Sequence, residues 1–510
     1  MQVLEMVHGI VWGPWTAGAF LAVGMILSVR SGFFQIRGLN VWWKATVGSL
    51  FSGRENTKEE DEKSRQKQSG NTQVRSHGIT QFQSVCTALA ATVGTGNIAG
   101  VAAAVVSGGP GAVFWMWISS LIGMAAAYGE TYLGCRYRFK DSRGKWVCGP
   151  FIYMEKGLGI PFMAAGYSLF CFLCAFGMGS MVQANAAAQT LEFTWGIPAV
   201  WGSGILALLT GTVILGGIKR IGKAAQYLLP LASGIYIVFS LIVLFLCADR
   251  IPDAFFRIFQ SAFGFHPVSG GIAGFGISRS IRYGISRGVF SNEAGLGTLA
   301  ILHGPAEHTS PKEQGMWAMF EVFFDTMVLC SLTAFVILCT VPKDMETLSL
   351  TGAALAAACF SAKLGITGEW FISISIVVFA FATMIAWYYL GQQAAAYLKN
   401  RMGFLSRLYP VLFLSAVFAG GLIRLEAVWM LSDLWNGLMA FFNLTALLFL
   451  SGEIQVPDAG EKGNKKSTSR FVMCLFWKKV LLKGRRADKI YQLEYYEKNL
   501  VSLVRCCIYG

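Results

Sequence analysis

Four consecutive residues, Gly94-Thr95-Gly96-Asn97, interrupt the middle of an apolar stretch that is otherwise long enough for one continuous helix. Glycines and an asparagine there break the helix, leaving unpaired N–H groups at one new end and unpaired carbonyls at the other. The N–H end carries the positive end of a helix dipole and suits an anion such as a carboxylate. Orphan carbonyls suit a small hard cation. A second interruption, Phe263-Gly-Phe-His266-Pro-Val-Ser269-Gly270-Gly271-Ile-Ala-Gly274, lies in a later apolar stretch. Glycines that let neighbouring helices pack closely are the plainer explanation of both, but the first break is denser and more polar than packing needs.

Other residue types offer chemistry too. Glu321 and Asp325 are four apart and so share one helix face; carboxylates in an apolar helix are costly and mark functional candidates. Two roles stand open for them: counter-charge to Arg279, Arg282 or Arg287, the favoured one, or a cation or proton path. Glu130 is expected to pair with Arg136 or Arg138. Gln183 and Asn185 are two apart and do not share a face; Gln183 is the better candidate to contact a bound solute, and a helix-to-helix hydrogen bond is its plainer role. Trp387, Phe176, Phe263 and Phe275 are candidates for the apolar wall around a small side chain, with core packing as the alternative for each. Catalysis finds little support. None of His8, His77, His266, His303 and His308 has metal-ligand spacing, and Cys171-Phe-Leu-Cys174 stands alone. No serine elbow or nucleotide loop is present, and His303 and His308 precede the segment that carries the two acids. Neither an enzyme nor a cofactor is expected.

The elements that must position these residues follow from composition. Of 510 residues 54% are hydrophobic and 14% charged, about half the charged share of an ordinary soluble domain. Apolar runs of about twenty residues each can cross a ~30 Å hydrocarbon core. This excludes a soluble enzyme, a nucleic-acid-binding protein and a secreted disulfide scaffold. Eleven segments are predicted to span, near 10–29, 79–107, 111–134, 161–192, 198–217, 225–248, 254–285, 316–341, 369–398, 405–424 and 428–450. The net charge of +14 sorts by side: 37 of the 42 lysines and arginines fall in the loops 30–78, 134–160, 217–224, 279–315, 398–408 and 451–510. By the positive-inside rule those loops are cytoplasmic, the N-terminus is outside and the C-terminus inside. Without the long loop and the tail the balance is still 16 to 5.

Five stretches result: a first helix and the start of a loop at 1–53; a charged cytoplasmic linker at 54–76; a five-helix unit at 77–252; a second at 253–450; and a basic cytoplasmic tail at 451–510, with an amphipathic stretch, Phe471 to Leu482, suited to the membrane surface. The two interrupted segments are the first of each five. Five is odd, so a second unit built like the first lies inverted in the membrane. Interrupted segments at matching places in two halves point to a secondary transporter with its site near mid-membrane.

The run Gly108-Gly-Pro-Gly-Ala-Val-Phe-Trp115-Met-Trp117-Ile-Ser-Ser-Leu-Ile-Gly123 closely resembles the signature of the sodium:alanine (amino acid:cation) symporter family. Gly94 to Gly100, Gly149 to Met154, Met181 to Asn185, Gly217 to Ile221, Arg287 to Gly295 and Phe320 to Asp325 extend the resemblance across 10–450, excluding 54–76. It implies an all-α polytopic fold, one N-terminal helix joined to a five-plus-five inverted repeat like that of the neurotransmitter:sodium symporters. It also implies sodium-coupled uptake of a small neutral amino acid, alanine or glycine, across the plasma membrane by alternating access; proton coupling or a preference for glutamine on the same fold is the alternative, and a channel or membrane-embedded enzyme a remote one. The amides around Thr95 and Gly96, shaped by Gly94 and Asn97, are implied to hold the substrate carboxylate. The carbonyls of Ala90, Val93 and Ala380 and the hydroxyl of Thr383 are implied to hold sodium, the coupling ion. In the wider fold a second hydroxyl often follows that threonine, and here the position is Met384.

Overall fold

The computed structural model describes residues 11, 14–51, 78–142, 144–264, 270–341, 350, 352–423 and 425–457. The linker 54–76, the tail from 458 on with its amphipathic stretch, and 265–269 of the second predicted interruption lie outside the described residues. The fold is helical, as it must be where no water pairs backbone N–H and C=O groups. In chain order the helices are α1 (Pro14–Arg30), α2 (Gln81–Thr92), α3 (Ala99–Gly108), α4 (Gly111–Tyr137), α5 (Pro161–Phe176), α6 (Val182–Trp195), α7 (Ala199–Ile214), α8 (Gly217–Phe245), α9 (Ile251–Phe263), α10 (Gly270–Asn292), α11 (Thr298–His303), α12 (Pro311–Val322), α13 (Ser331–Thr340), α14 (Gly352–Leu364), α15 (Ile366–Tyr397), α16 (Lys399–Gly420) and α17 (Leu425–Leu450). One π-helical turn joins α5 to α6, and another joins α12 to α13.

Among the described residues six helices are long and apolar enough to cross a membrane: α4, α5 with α6, α8, α12 with α13, α15, and Val428–Glu453. The bent pair Gln81–Thr92 and Thr95–Gly108, which turns by 53°, makes a seventh crossing if counted as one span. Shorter apolar helices are Trp15–Arg30, Ala199–Ile214, Gly352–Leu364 and Arg407–Gly420.

The later half corrects one expectation. The predicted single span 254–285 is two helices. Gly264, at φ +66, ends α9 in the left-handed conformation, and α10 runs unbroken from Gly270 to Asn292. A further interruption follows α10: Glu293, Gly295 and Gly297 all have positive φ (55°, 77° and 84°) before the short, wholly buried α11.

Helix α4 is the post against which the second interruption is placed. A Cβ on Gly284 of α10 would lie 2.5 Å from the Ala112 carbonyl oxygen, and one on Gly288 would lie 2.6 Å from the Ser119 hydroxyl. The two glycines are four apart, so α10 lays one smooth stripe against α4, the small-residue packing that replaces the hydrophobic effect inside a bilayer.

Candidate functional site

Helix α2 ends because its last donors turn elsewhere. The Gly94 N–H donates to the Asn97 side-chain oxygen (2.9 Å) instead of the Ala90 carbonyl. The Thr95 N–H donates to Gln183 Oε1 (3.2 Å) instead of the Ala91 carbonyl. Asn97 N–H closes a tight turn on Gly94 O (3.3 Å). The carbonyls of Ala90, Ala91 and Val93 thereby lose their helical donors. Only glycine fits at 94: a Cβ there would lie 2.5 Å from Thr383 Oγ1 and 3.3 Å from Gln183 Oε1.

Gln183, on α6, accepts from both the N–H and the hydroxyl (2.9 Å) of Thr95, while its own Nε2 donates to Met178 O (3.1 Å) in the π-helical turn. Asn97 Nδ2 donates to Asp325 Oδ1 (2.6 Å). The other oxygen of Asp325 accepts from Ser291 (2.8 Å), at the end of α10, and from Thr326 (3.0 Å). Thr333 donates to Asn97 O (2.7 Å). The two interruptions therefore meet: a Cβ at Gly96 would lie 3.5 Å from Ser291 Cα, with Asp325 bonded to both sides.

Thr383 and Trp387 are four apart on α15 and share a face. Trp387 Nε1 donates to Glu293 Oε1 (2.7 Å), and the Trp387 side chain packs so tightly on the π-helical turn that a Cβ on Gly179 would collide with it. Glu293 is fully buried, its Oε2 has no hydrogen-bond partner, and its φ of 55° is unusual for a side-chain-bearing residue. The Thr383 hydroxyl, 1% exposed, also has no partner. A buried orphan hydroxyl beside carbonyls that have lost their donors is the oxygen-rich setting a hard monovalent cation needs. Ala90, Val93 and Ala380 are fully buried, and Ala380 stands one turn before Thr383 on α15. The residues lining the break are buried, so a solute reaches them only when helices move.

A family model, "Sodium:alanine symporter family", matches residues 1–459. The chain belongs to the sodium:alanine symporter family. It is 39% identical over 461 residues to a sodium/alanine symporter, AgcS, of Methanococcus maripaludis, covering 89% of this chain and 95% of that one. It is 35% identical to a probable sodium/glutamine symporter, GlnT, of Bacillus subtilis, over 88% of this chain and 89% of that one. A putative sodium/proton-dependent alanine carrier protein, YrbD, of the same organism is 33% identical over 87% of this chain and 89% of its own length. This family member is a multi-pass membrane transporter.

The structure gathers most of the expected residues of this symporter-family chain and disperses others. Gly94, Thr95, Gly96, Asn97, Gln183, Thr383 and Trp387 converge. Phe176 joins an aromatic cluster, edge-on to Phe172 (4.9 Å between centroids) and Tyr409 (5.7 Å). Phe263 is not part of the cluster: it is 44% exposed at the end of α9 and packs on Phe114 (5.0 Å). Its placement with the site came from treating 263–274 as the second break. Asn185 ties helices together, donating to Gly420 O (2.8 Å) and Ile423 O (2.7 Å).

The charged residues also pair differently from expectation. Glu130 is fully buried and meets no arginine; it accepts from the Gly297 N–H (3.0 Å) and Asn443 (2.8 Å). Arg287 pairs with Asp433 on α17 (2.6 Å). Asp325 bonds only uncharged donors, and Glu321 pairs with His303 (3.0 Å) because α11 folds back beside α12. Glu293 lies within the stretch Arg287 to Gly295, and a carboxylate flanked by Ser-Asn and Ala-Gly-Leu-Gly is the signal that marks it.

Proposed function

We propose that this protein carries a small neutral amino acid, alanine or glycine, together with sodium across the plasma membrane by alternating access. The observation that carries this reading is the Thr383 hydroxyl, buried and unpartnered against the broken segment whose carbonyls have lost their donors. Sodium sits among Thr383 Oγ1 and the carbonyls of Ala90, Val93 and Ala380. The substrate carboxylate takes the amides at Thr95 and Gly96, where the Gln183 amide oxygen now stands in for a carboxylate oxygen. Substrate entry therefore displaces the Gln183 side chain. Glu293 supplies the counter-charge for the substrate ammonium group through its unpartnered oxygen, and Trp387 bounds the side-chain space.

The architecture in this reading has eleven crossings. To the seven counted above it adds α1, α7, α16, and α10 with α11 as the broken first member of the second five-helix set. The N-terminus lies outside and the C-terminus inside, and the domains are those expected from the sequence. The chain needs no cofactor beyond the coupling ion and catalyses no covalent chemistry.

Uptake of labelled alanine, glycine and glutamine into proteoliposomes under imposed sodium or proton gradients tests the reading. Alanine or glycine accumulation driven by sodium is the expected result, and alanine uptake indifferent to sodium overturns it. The relative named for glutamine keeps glutamine preference open as a second outcome.

A further inference from the structure

A second buried polar cluster lies apart from the broken segment. His303, at the end of α11, places Nε2 3.0 Å from Glu321 Oε2 and Nδ1 2.6 Å from Gln314 Oε1. His303, Gln314 and Glu321 are fully buried, and both Gln314 Nε2 and Glu321 Oε1 lack partners among the described residues. Among the described residues no lysine or arginine side chain is paired with them. The titratable groups near them are Cys86 on α2, Cys135 and Tyr128 on α4, Cys148 beside Gly304, and Glu293 ahead of α11. Asp325 lies one turn further along the Glu321 face. Arg138 of α4 is taken up by the carbonyls of Gly304 and Ala306 (2.6 Å each).

Two proton counts satisfy this geometry. With Nδ1–H donating to Gln314 Oε1, one proton lies between Nε2 and Oε2, and the pair is neutral overall whichever atom holds it. Remove that proton, and the histidine hydrogen moves to Nε2 and donates to the ionised Glu321. Nδ1 then needs a donor, which Gln314 supplies by turning its amide so that Nε2 faces the ring. A carboxamide can present its acceptor or its donor at the same place by turning over, so both states stay hydrogen-bonded. Burial means that the proton reaches water only when α11 parts from α12. The same half-helix follows the second interruption, so proton exchange is tied to the movement that opens the site.

Resting on the transport reading above, we propose that His303, Glu321 and Gln314 form a proton-binding site that takes up and releases one proton in each transport cycle, separate from the cation site at Thr383. The proton is released to the water on the side toward which α11 opens, and it returns from the opposite side in the next half-cycle.

Proteoliposomes holding a pH-sensitive dye test this during sodium-driven alanine uptake at clamped membrane potential. Wild-type protein is expected to move about one proton per alanine, and Glu321→Gln and Gln314→Leu to lose that signal and the dependence of uptake on pH. Sodium-dependent alanine binding by each purified variant reports that it is folded. An unchanged lumenal pH with the wild-type protein, or an undiminished signal with Glu321→Gln, overturns the proposal. Infrared difference spectra of the wild-type protein in membranes across pH need no transport: a titrating band, of the carboxylic acid or of the imidazolium–carboxylate pair, that Glu321→Gln removes and His303→Gln alters supports the site. Absence of that band overturns the site, whereas its presence in a protein that carries no alanine overturns only the symport reading.

Discussion

At the scale of single residues, polar groups held dry at the break separate binding from support. Thr383 has an oxygen with nothing to bond, whereas Asp325 has both oxygens filled by Asn97, Ser291 and Thr326. Thr383→Ala is expected to weaken the apparent sodium affinity about tenfold, equivalent to about 1.4 kcal/mol, while Thr383→Ser retains it. A sodium titration of alanine uptake measures this, and unchanged sodium activation removes Thr383 from the site. Asp325→Asn places an amide donor against donors. Leaving buried donors unmatched costs about 1–3 kcal/mol, so its expected effect is a lowered melting temperature in detergent with or without sodium. A variant that melts like wild type but loses sodium stabilisation would show instead that Asp325 contacts the cation.

The first break was legible in the sequence because glycines and an asparagine stand there more densely than helix packing needs, while Thr383 entered through the family resemblance. Gly94, Thr95, Asn97, Gln183 and Thr383 are brought together. The partners of Glu293 and His303 were not legible: they come from α15 and α12, and no local pattern records which distant helix a side chain faces.

At the scale of elements, close approach is set by what is missing from side chains. Gly284 of α10 touches the backbone of α4, where no rotamer change can relieve a clash. Gly284→Leu forces these helices apart, and overpacking of this kind costs about 1–3 kcal/mol or more. The expected outcome is loss of monodisperse protein in size-exclusion chromatography, with Gly284→Ala intermediate. Asn185 makes a different kind of join, one amide spanning α6 to the carbonyls at the end of α16. Interhelical hydrogen bonds in membranes are worth about 0.6–2 kcal/mol, so Asn185→Ala should lower the melting temperature slightly and leave the KM for alanine unchanged. A raised KM would place Asn185 in the substrate site. Helix existence was readable from length and hydropathy, but the interruption after α10, where Glu293, Gly295 and Gly297 take positive φ, was not. Arg287 is in fact neutralised by Asp433 of α17, a partner nearly 150 residues away in the chain that no window of sequence could supply.

For the whole molecule, the distribution of charge carries the orientation. A protease site placed after Ser451 is expected to be cut only from the cytoplasmic face in oriented vesicles, and one at the loop around Asp249 only from the opposite face; the reverse pattern would invert the topology. What the sequence alone determined is the solvent this chain folds in, its family and the position of the first break. These depend on composition and on residues adjacent in the chain, and hydrocarbon, by denying the backbone any outside partner, turns such local features directly into helix and interruption. What only the tertiary structure decided is where the chain breaks after α10, that this break meets the first across Asp325, and that Glu321 lies within hydrogen-bonding distance of His303. Those depend on which helix faces which, and that is settled by packing small residues against small residues over the whole molecule.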